Sequence, residues 1–171
     1  MTNSADVASI DAIINASYKT ISGPAGQKRD WDRQRALFFP GARLIPTAVR
    51  PGENESGLAP QILDVEQYIA RVEPIFAKAG FYETEIARRT EQFGQIAHVW
   101  STYESRHSPE DPAPFMRGIN SFQLFHDGKR WWIVNIYWQH EKRYAPDSAK
   151  VFGDQGRMTA GNGLRGESLM K

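Results

Sequence analysis

Residues 117–140 read RGINSFQLFHDGKRWWIVNIYWQH, and this stretch decides the fold. Two runs rich in β-branched and aromatic residues flank Asp127-Gly128. Asp-Gly between such runs is a strong hairpin signal, because a type I′ turn needs positive φ at both central residues. With that pair at the tip, Leu124 is expected to oppose Trp131, Phe122 to oppose Ile133, Asn120 to oppose Asn135 and Gly118 to oppose Tyr137. Along this face the character passes from large apolar side chains to Asn120, Asn135 and Tyr137. An apolar base opening onto amides and a phenol suits a small hydrophobic ligand; the other reading is that the two asparagines satisfy each other at the end of the sheet. The opposite face of the last run bears Trp132, Val134, Ile136 and Trp138, too much apolar area to leave in water. Either a second copy of the chain covers it, giving a homodimer through the sheet, or the C-terminal tail does.

Upstream lie two more strand-like runs, 81–92 and 95–107, with a turn at Phe93-Gly94. Residues 108–116, with three prolines, form a longer connection to the hairpin. In the run 95–107, His98, Trp100, Thr102 and Glu104 share one face and Tyr103 lies on the other. The turn places Arg89 opposite His98 and Glu85 opposite Thr102. A histidine beside carboxylates can act as a general base, its ring oriented by an acid. The same set can equally be a solvated cross-strand cluster. Which face is concave the pattern leaves open.

Before Gly80 the hydrophobic period is helical. Val7, Ile10, Ile14, Tyr18 and Ile21 make one stripe on a helix expected over residues 6–21, with Ser4 as N-cap and Ser22-Gly23-Pro24 as stop. A shorter helix is expected from Asp30 to Phe39, ended by Pro40-Gly41. A strand follows over 42–49, where Pro46 restricts it to an edge or an interruption. After a Gly/Pro-rich loop at 50–60, a third helix starts at Asp64, which has capping-box spacing to Gln67. Pro74 lies inside it, and Gly80 is placed to cap its end.

The 171 residues suffice for one core, and a net charge of +1 argues against a nucleic-acid surface. Basic pairs such as Lys28-Arg29 and Arg88-Arg89 read as solvated faces. There is no cysteine, which excludes disulfides, a thiolate nucleophile and Cys-ligated zinc. The histidines lack metal-ligand spacing, and no glycine-rich phosphate loop is present. No export signal or membrane-length apolar run occurs, so the cytoplasm is the expected compartment. Residues 146–171, with five glycines, are expected to form a poorly ordered tail after a domain spanning 1–145.

Three stretches in this order resemble the nuclear transport factor 2-like (SnoaL-like) superfamily: DWDRQRALFFPGARL at 30–44, AHVWSTYE at 97–104 and DGKRWWIV at 127–134. The resemblance covers roughly residues 4–141. It implies an α+β, cystatin-like cone of three N-terminal helices packed on a strongly bent antiparallel sheet. It does not imply an activity, since that superfamily holds enzymes, ligand binders and adaptors. In its ketosteroid-isomerase branch a base aspartate follows the first strand; the nearest positions here are Ile45 and Pro46, which cannot accept a proton. The helix-1 tyrosine of that branch has its counterpart in Tyr18, and its strand carboxylic acid has no match.

Two functional readings follow. One is a lyase or isomerase, needing no cofactor, that acts on a hydrophobic molecule. Its catalytic candidates are His98, Glu104 and Tyr18, and its ligand-binding candidates Trp100, Tyr103, Asn120, Asn135 and Tyr137. The other is a non-catalytic ligand-binding or dimeric interaction module.

Overall fold

A computed structural model describes residues 3–49 and 58–141. The expected tail, 146–171, and loop residues 50–57 lie outside the described residues. A 3₁₀ turn, Ser4–Val7, precedes α1 (Ile10–Ile21), α2 (Trp31–Arg35), β1 (Phe38–Val49), β2 (Leu58–Pro60) and α3 (Val65–Lys78). Four long strands follow: β3 (Tyr82–Phe93), β4 (Ile96–Arg106), β5 (Met116–His126) and β6 (Trp131–His140).

The expected first helix is broken in two. Ser9 Oγ accepts from the Ala12 amide at 3.1 Å and caps α1, while Asn3, not Ser4, caps the preceding turn. Asp30 caps α2 through the Arg33 amide at 2.9 Å. That helix ends early because the next residues join the sheet: the Ile133 amide donates to the Leu37 carbonyl at 2.9 Å, and Phe38 is buried. The capping box of α3 is complete, with Asp64 accepting from the Gln67 amide at 2.8 Å and Gln67 from the Asp64 amide at 2.9 Å. Its C-cap is Ala79 in extended conformation. Gly80 serves close approach instead, since a Cβ there would lie 2.1 Å from the His107 carbonyl oxygen.

The sheet runs β2-β1-β6-β5-β4-β3. Strands β3 to β6 are antiparallel neighbours, as expected. Strand β1, however, pairs with β6 in parallel, so the sheet is mixed. Strand β3 runs opposite to β1, so the three reversals from β3 to β6 return β6 beside β1 in the same direction. Pro46 pairs with Trp138 in this ladder, and its carbonyl accepts from Gln61 on the other side. By strand alternation the donor it lacks faces residues 61–63, not β6.

Both hairpins turn one residue later than expected. Asp127 accepts from the Lys129 and Arg130 amides, each at 2.8 Å, and from Trp132 Nε1 at 2.8 Å. This side-chain turn puts Gly128-Lys129 at the tip and pairs His126 with Trp131. In the other hairpin Phe93 pairs with Ile96 across Gly94-Gln95. Each ladder then carries a bulge: Ile86 is the extra residue between Glu85 and Ala87, and Val134 the extra residue between Ile133 and Asn135. A bulge moves every residue beyond it to the other face.

The core lies between α1 and the concave face, around Ile13, Ile14, Leu37, Val99, Phe122 and Ile133. Arg29 is not solvated as expected. It is buried, and it donates to the carbonyls of Ile21, Gly23, Pro24 and Gln27 at 2.7–3.1 Å over the Phe76 ring. Four peptide carbonyls between α1 and α2 thus share one guanidinium.

Candidate active site

Helices α1 and α3 do not close over the whole concave face, and a cavity of about 330 Å³ remains beneath them. This is the lower end of the ~300–1,000 Å³ usual for small-molecule sites. Its walls are mostly apolar, with Ile21, Leu44, Val72, Phe76, Phe122 and Ile136 among them. Against that background the polar groups stand out: Tyr18, Tyr68, Glu83, Tyr103, Asn120 and His140.

Glu83 reaches the cavity because of the bulge at Ile86. From the hairpin tip, Ala87 pairs with Thr102; past the bulge, Glu85 pairs with Tyr103 and Glu83 with Ser105, the concave-face residues of β4. Ser105 Oγ donates to Glu83 Oε2 at 3.0 Å. No cation pairs with this carboxyl among the described residues. Burial pushes it from 4.5 up to about 7, and donors on Ser105 and Asn120 hold back part of that rise. The phenols of Tyr18, Tyr68 and Tyr103 are driven upward, by burial first and by Glu83 second, so all three are neutral near pH 7.

Glu85, two residues on and on the same face, has the opposite environment. Arg88 grips it through Nε at 2.9 Å and Nη2 at 2.6 Å, and Ser101 Oγ donates to it. The Ser101 proton being spent there, the Tyr18 O–H donates to Ser101 Oγ at 2.6 Å, while Asn120 Nδ2 donates to Tyr18 Oη at 3.1 Å. Tyr18 therefore lines the cavity with its proton directed into the sheet. Tyr68 has no hydrogen-bond partner among the described residues, which leaves its O–H for a ligand; its ring meets Trp138 edge-on at 6.1 Å.

Tyr103 Oη is 2.7 Å from His140 Nδ1, two strands away. Gly118 makes this reach possible. It sits between them in the ladder, and a Cβ there would lie 2.5 Å from Tyr103 Oη and 2.5 Å from the Gln139 carbonyl. The His140 pKa is lowered by burial and by Arg71 at the cavity rim. Among the described residues no cluster of three His, Asp or Glu side chains could hold a metal. Among the described residues no helix is long and apolar enough to cross a membrane.

No family model matches the sequence, and no curated protein matches it. Solved structures do. A protein of unknown function with a cystatin-like fold from Nostoc punctiforme aligns with a TM-score of 0.58 at 11% identity, covering 78% of this chain and 90% of that one. A candidate dehydratase of the nuclear transport factor 2-like family from Streptomyces avermitilis aligns at 0.54 and 12%, covering 80% and 96%. The chain has the nuclear transport factor 2-like fold. A candidate calcium/calmodulin-dependent protein kinase II association domain from Xanthomonas campestris shares it too, at 0.55 and 14%, covering 78% and 86%.

Within this nuclear transport factor 2-like cone the expected site residues divide. Tyr18, Tyr103 and Asn120 line the cavity. His98, Trp100 and Glu104 lie on the convex face: His98 bonds Ser121 at 2.9 Å and packs on Trp100, and Glu104 is held by Arg106 and Arg117. Asn135 and Tyr137 also face outward, because the bulge at Val134 exchanges the faces of β6. Asn120 pairs with Trp138, not Asn135, and Gly118 with His140, not Tyr137. Glu83, Tyr68, Arg71 and His140 are the groups that the periodicity missed. The bulge residue Ile86, apolar yet 42% exposed, carries the slip that hides Glu83.

Proposed function

We propose that the cavity is the active site of a cofactor-independent lyase or isomerase that moves a proton on an apolar carbonyl compound, with Glu83 as the acid–base group. The observation that carries this is a carboxyl with no cation partner among the described residues, facing a mostly apolar cavity; burial there raises it toward neutrality, and a group titrating near the working pH can both take and return a proton. Ionised Glu83 removes a hydrogen from the carbon next to the carbonyl. The electron pair moves to the carbonyl oxygen, where the Tyr68 O–H donates to it. In a β,γ-unsaturated ketone the enolate is a dienolate and the proton on Glu83 then goes to its γ-carbon, giving the conjugated isomer; in a β-hydroxyketone it goes to the departing hydroxyl, giving water and an unsaturated product. Neither route needs an electron acceptor. The structural likeness to a candidate dehydratase agrees with this reading. The test is deuterium uptake from D₂O into cyclic ketones and β-hydroxyketones, followed by NMR. Uptake above the buffer rate is expected; saturable binding of these compounds with no uptake would instead make the protein a binder.

A second copy of the chain is the proposed partner, on the convex face. The expected face of Trp132, Val134, Ile136 and Trp138 does not exist as one surface, since the bulge turns Ile136 and Trp138 into the cavity. What remains outside is Phe39, Ile96, Trp100, Val134 and Tyr137, each at least 36% exposed, with Phe39 edge-on to Phe125 and Trp132. So much exposed aromatic surface on one side of a sheet favours self-association. Sedimentation at micromolar concentration should show a dimer that Tyr137→Lys splits into folded monomers. A wild-type monomer at that concentration contradicts the assignment.

A further inference from the structure

We propose that the cavity takes an apolar organic carboxylate, its anionic end at Arg71 and its reacting carbon at Glu83. This rests on the proton-transfer reading above and names its substrate class. Arg71 projects from α3 on the same face as Tyr68, Val72 and Ile75, all of which line the cavity. Among the described residues that line the cavity it is the one permanent cation. Arg43 and Arg130 donate to main-chain carbonyls, whereas several other surface arginines have carboxylate partners: Arg33 with Asp6, Arg35 with Glu66, Arg88 with Glu85, and Arg117 with Glu104. Arg71 has none among the described residues. It donates through Nη1 to the neutral Gln61 amide oxygen. A guanidinium carries five N–H donors in a planar fork, so the remaining ones can take a carboxylate in bidentate fashion.

The position fits a mouth. Arg71, Ile75, His107 and Phe115 are exposed at the rim, and the Arg71 charge is felt at His140, the last residue of β6. Inward from the rim the wall is aromatic, with Phe76 stacked on Phe81 at 4.9 Å and Phe81 against Phe115 at 6.2 Å. Glu83, on which the Arg71 charge has no resolved influence, is faced by Tyr18 from α1, Tyr68 from α3, Tyr103 and Ser105 from β4 and Asn120 from β5, with Glu85 and its partner Arg88 further along β3. None of these offers a free cation, so a ligand anion beside Glu83 would be repelled and unpaired. The charge must therefore lie at the Arg71 end, with the apolar body between.

The probes are 1-naphthaleneacetate and its neutral primary amide, titrated at low salt and about pH 6, where charge-assisted pairing at a partly open site is expected to be worth about tenfold in affinity. Wild-type protein should bind the acid about tenfold more tightly than the amide. Arg71→Gln should bring the acid down to the amide while amide affinity stays unchanged, which also reports an intact fold. Glu83→Gln should abolish deuterium uptake without removing the preference for the acid. Equal affinity in the wild type, or a preference that survives Arg71→Gln, overturns the carboxylate assignment and leaves proton transfer standing. If neither probe binds, the cavity is not a site for apolar ligands, and both assignments fall.

Discussion

Glu83→Gln is expected to lose deuterium uptake by about 10²–10⁴-fold, the usual contribution of a general acid–base group, while making the folded protein more stable above neutral pH. The second half follows from the sign of the pKa shift. The carboxyl titrates at about 7 in the fold and near 4.5 when unfolded. Between those values the folded chain holds a proton that the unfolded chain has released. Stability therefore falls as pH rises from 4.5 to 7 and is level beyond. At about 1.4 kcal/mol per pKa unit the full penalty is roughly 3 kcal/mol, an upper bound for a group that touches the cavity. Glutamine keeps the shape and cannot ionise. Urea denaturation should show the variant more stable by roughly 1–3 kcal/mol at about pH 8 and equal to wild type at about pH 4. A variant that is less stable at both pH values, or that keeps its turnover, contradicts the role given to Glu83. Such a gain in stability on losing function is the usual mark of a strained working site.

Gly118→Ala is the second substitution with a large expected effect, and its cause is space. The new methyl would meet Tyr103 Oη and the Gln139 carbonyl, each at 2.5 Å, in a ladder bonded on both sides. Either β6 shifts, or the phenol swings away and its bond to His140 is lost. Overpacking costs ~1–3 kcal/mol and a lost buried hydrogen bond ~1 kcal/mol, so about 2–4 kcal/mol is expected by chemical denaturation. Tyr103→Phe removes the hydroxyl contact and leaves those with the Gln139 carbonyl and, at 2.8 Å, the ring carbon Cζ. In that background Gly118→Ala should cost about 1 kcal/mol less, a coupling that a double-mutant cycle resolves. Strict additivity would mean that the tyrosine hydroxyl does not cross Gly118.

What the sequence made legible and what it hid divide along physical lines. The change from helical to alternating rhythm at Gly80 is a property of whole segments, and α1, α3 and β3 to β6 all follow it. The Asp64–Gln67 box is local chemistry and forms as read. Strand faces are different, because parity is carried along a strand from the turn, and one extra residue reverses everything beyond it. Ile86 and Val134 are such residues. The first brings Glu83 and Glu85 to the concave side; the second exchanges Asn135 and Tyr137 for Ile136, Trp138 and His140. Nothing in the alternation of either run marks the slip. Tyr103 and Asn120 were placed on strands without a bulge of their own, and both line the cavity. Arg29 was hidden for another reason: its partners are main-chain carbonyls, which no side-chain pattern shows.

These readings converge on one carboxyl. A ¹³C-detected pH titration of glutamate-labelled protein, with Glu83→Gln used to assign the resonance, reports its ionisation without any knowledge of the substrate. A midpoint near 7 is the expected result. A midpoint at the ordinary glutamate value of ~4.3 would mean that the group is solvated and ionised throughout, and the cavity would have no acid–base centre.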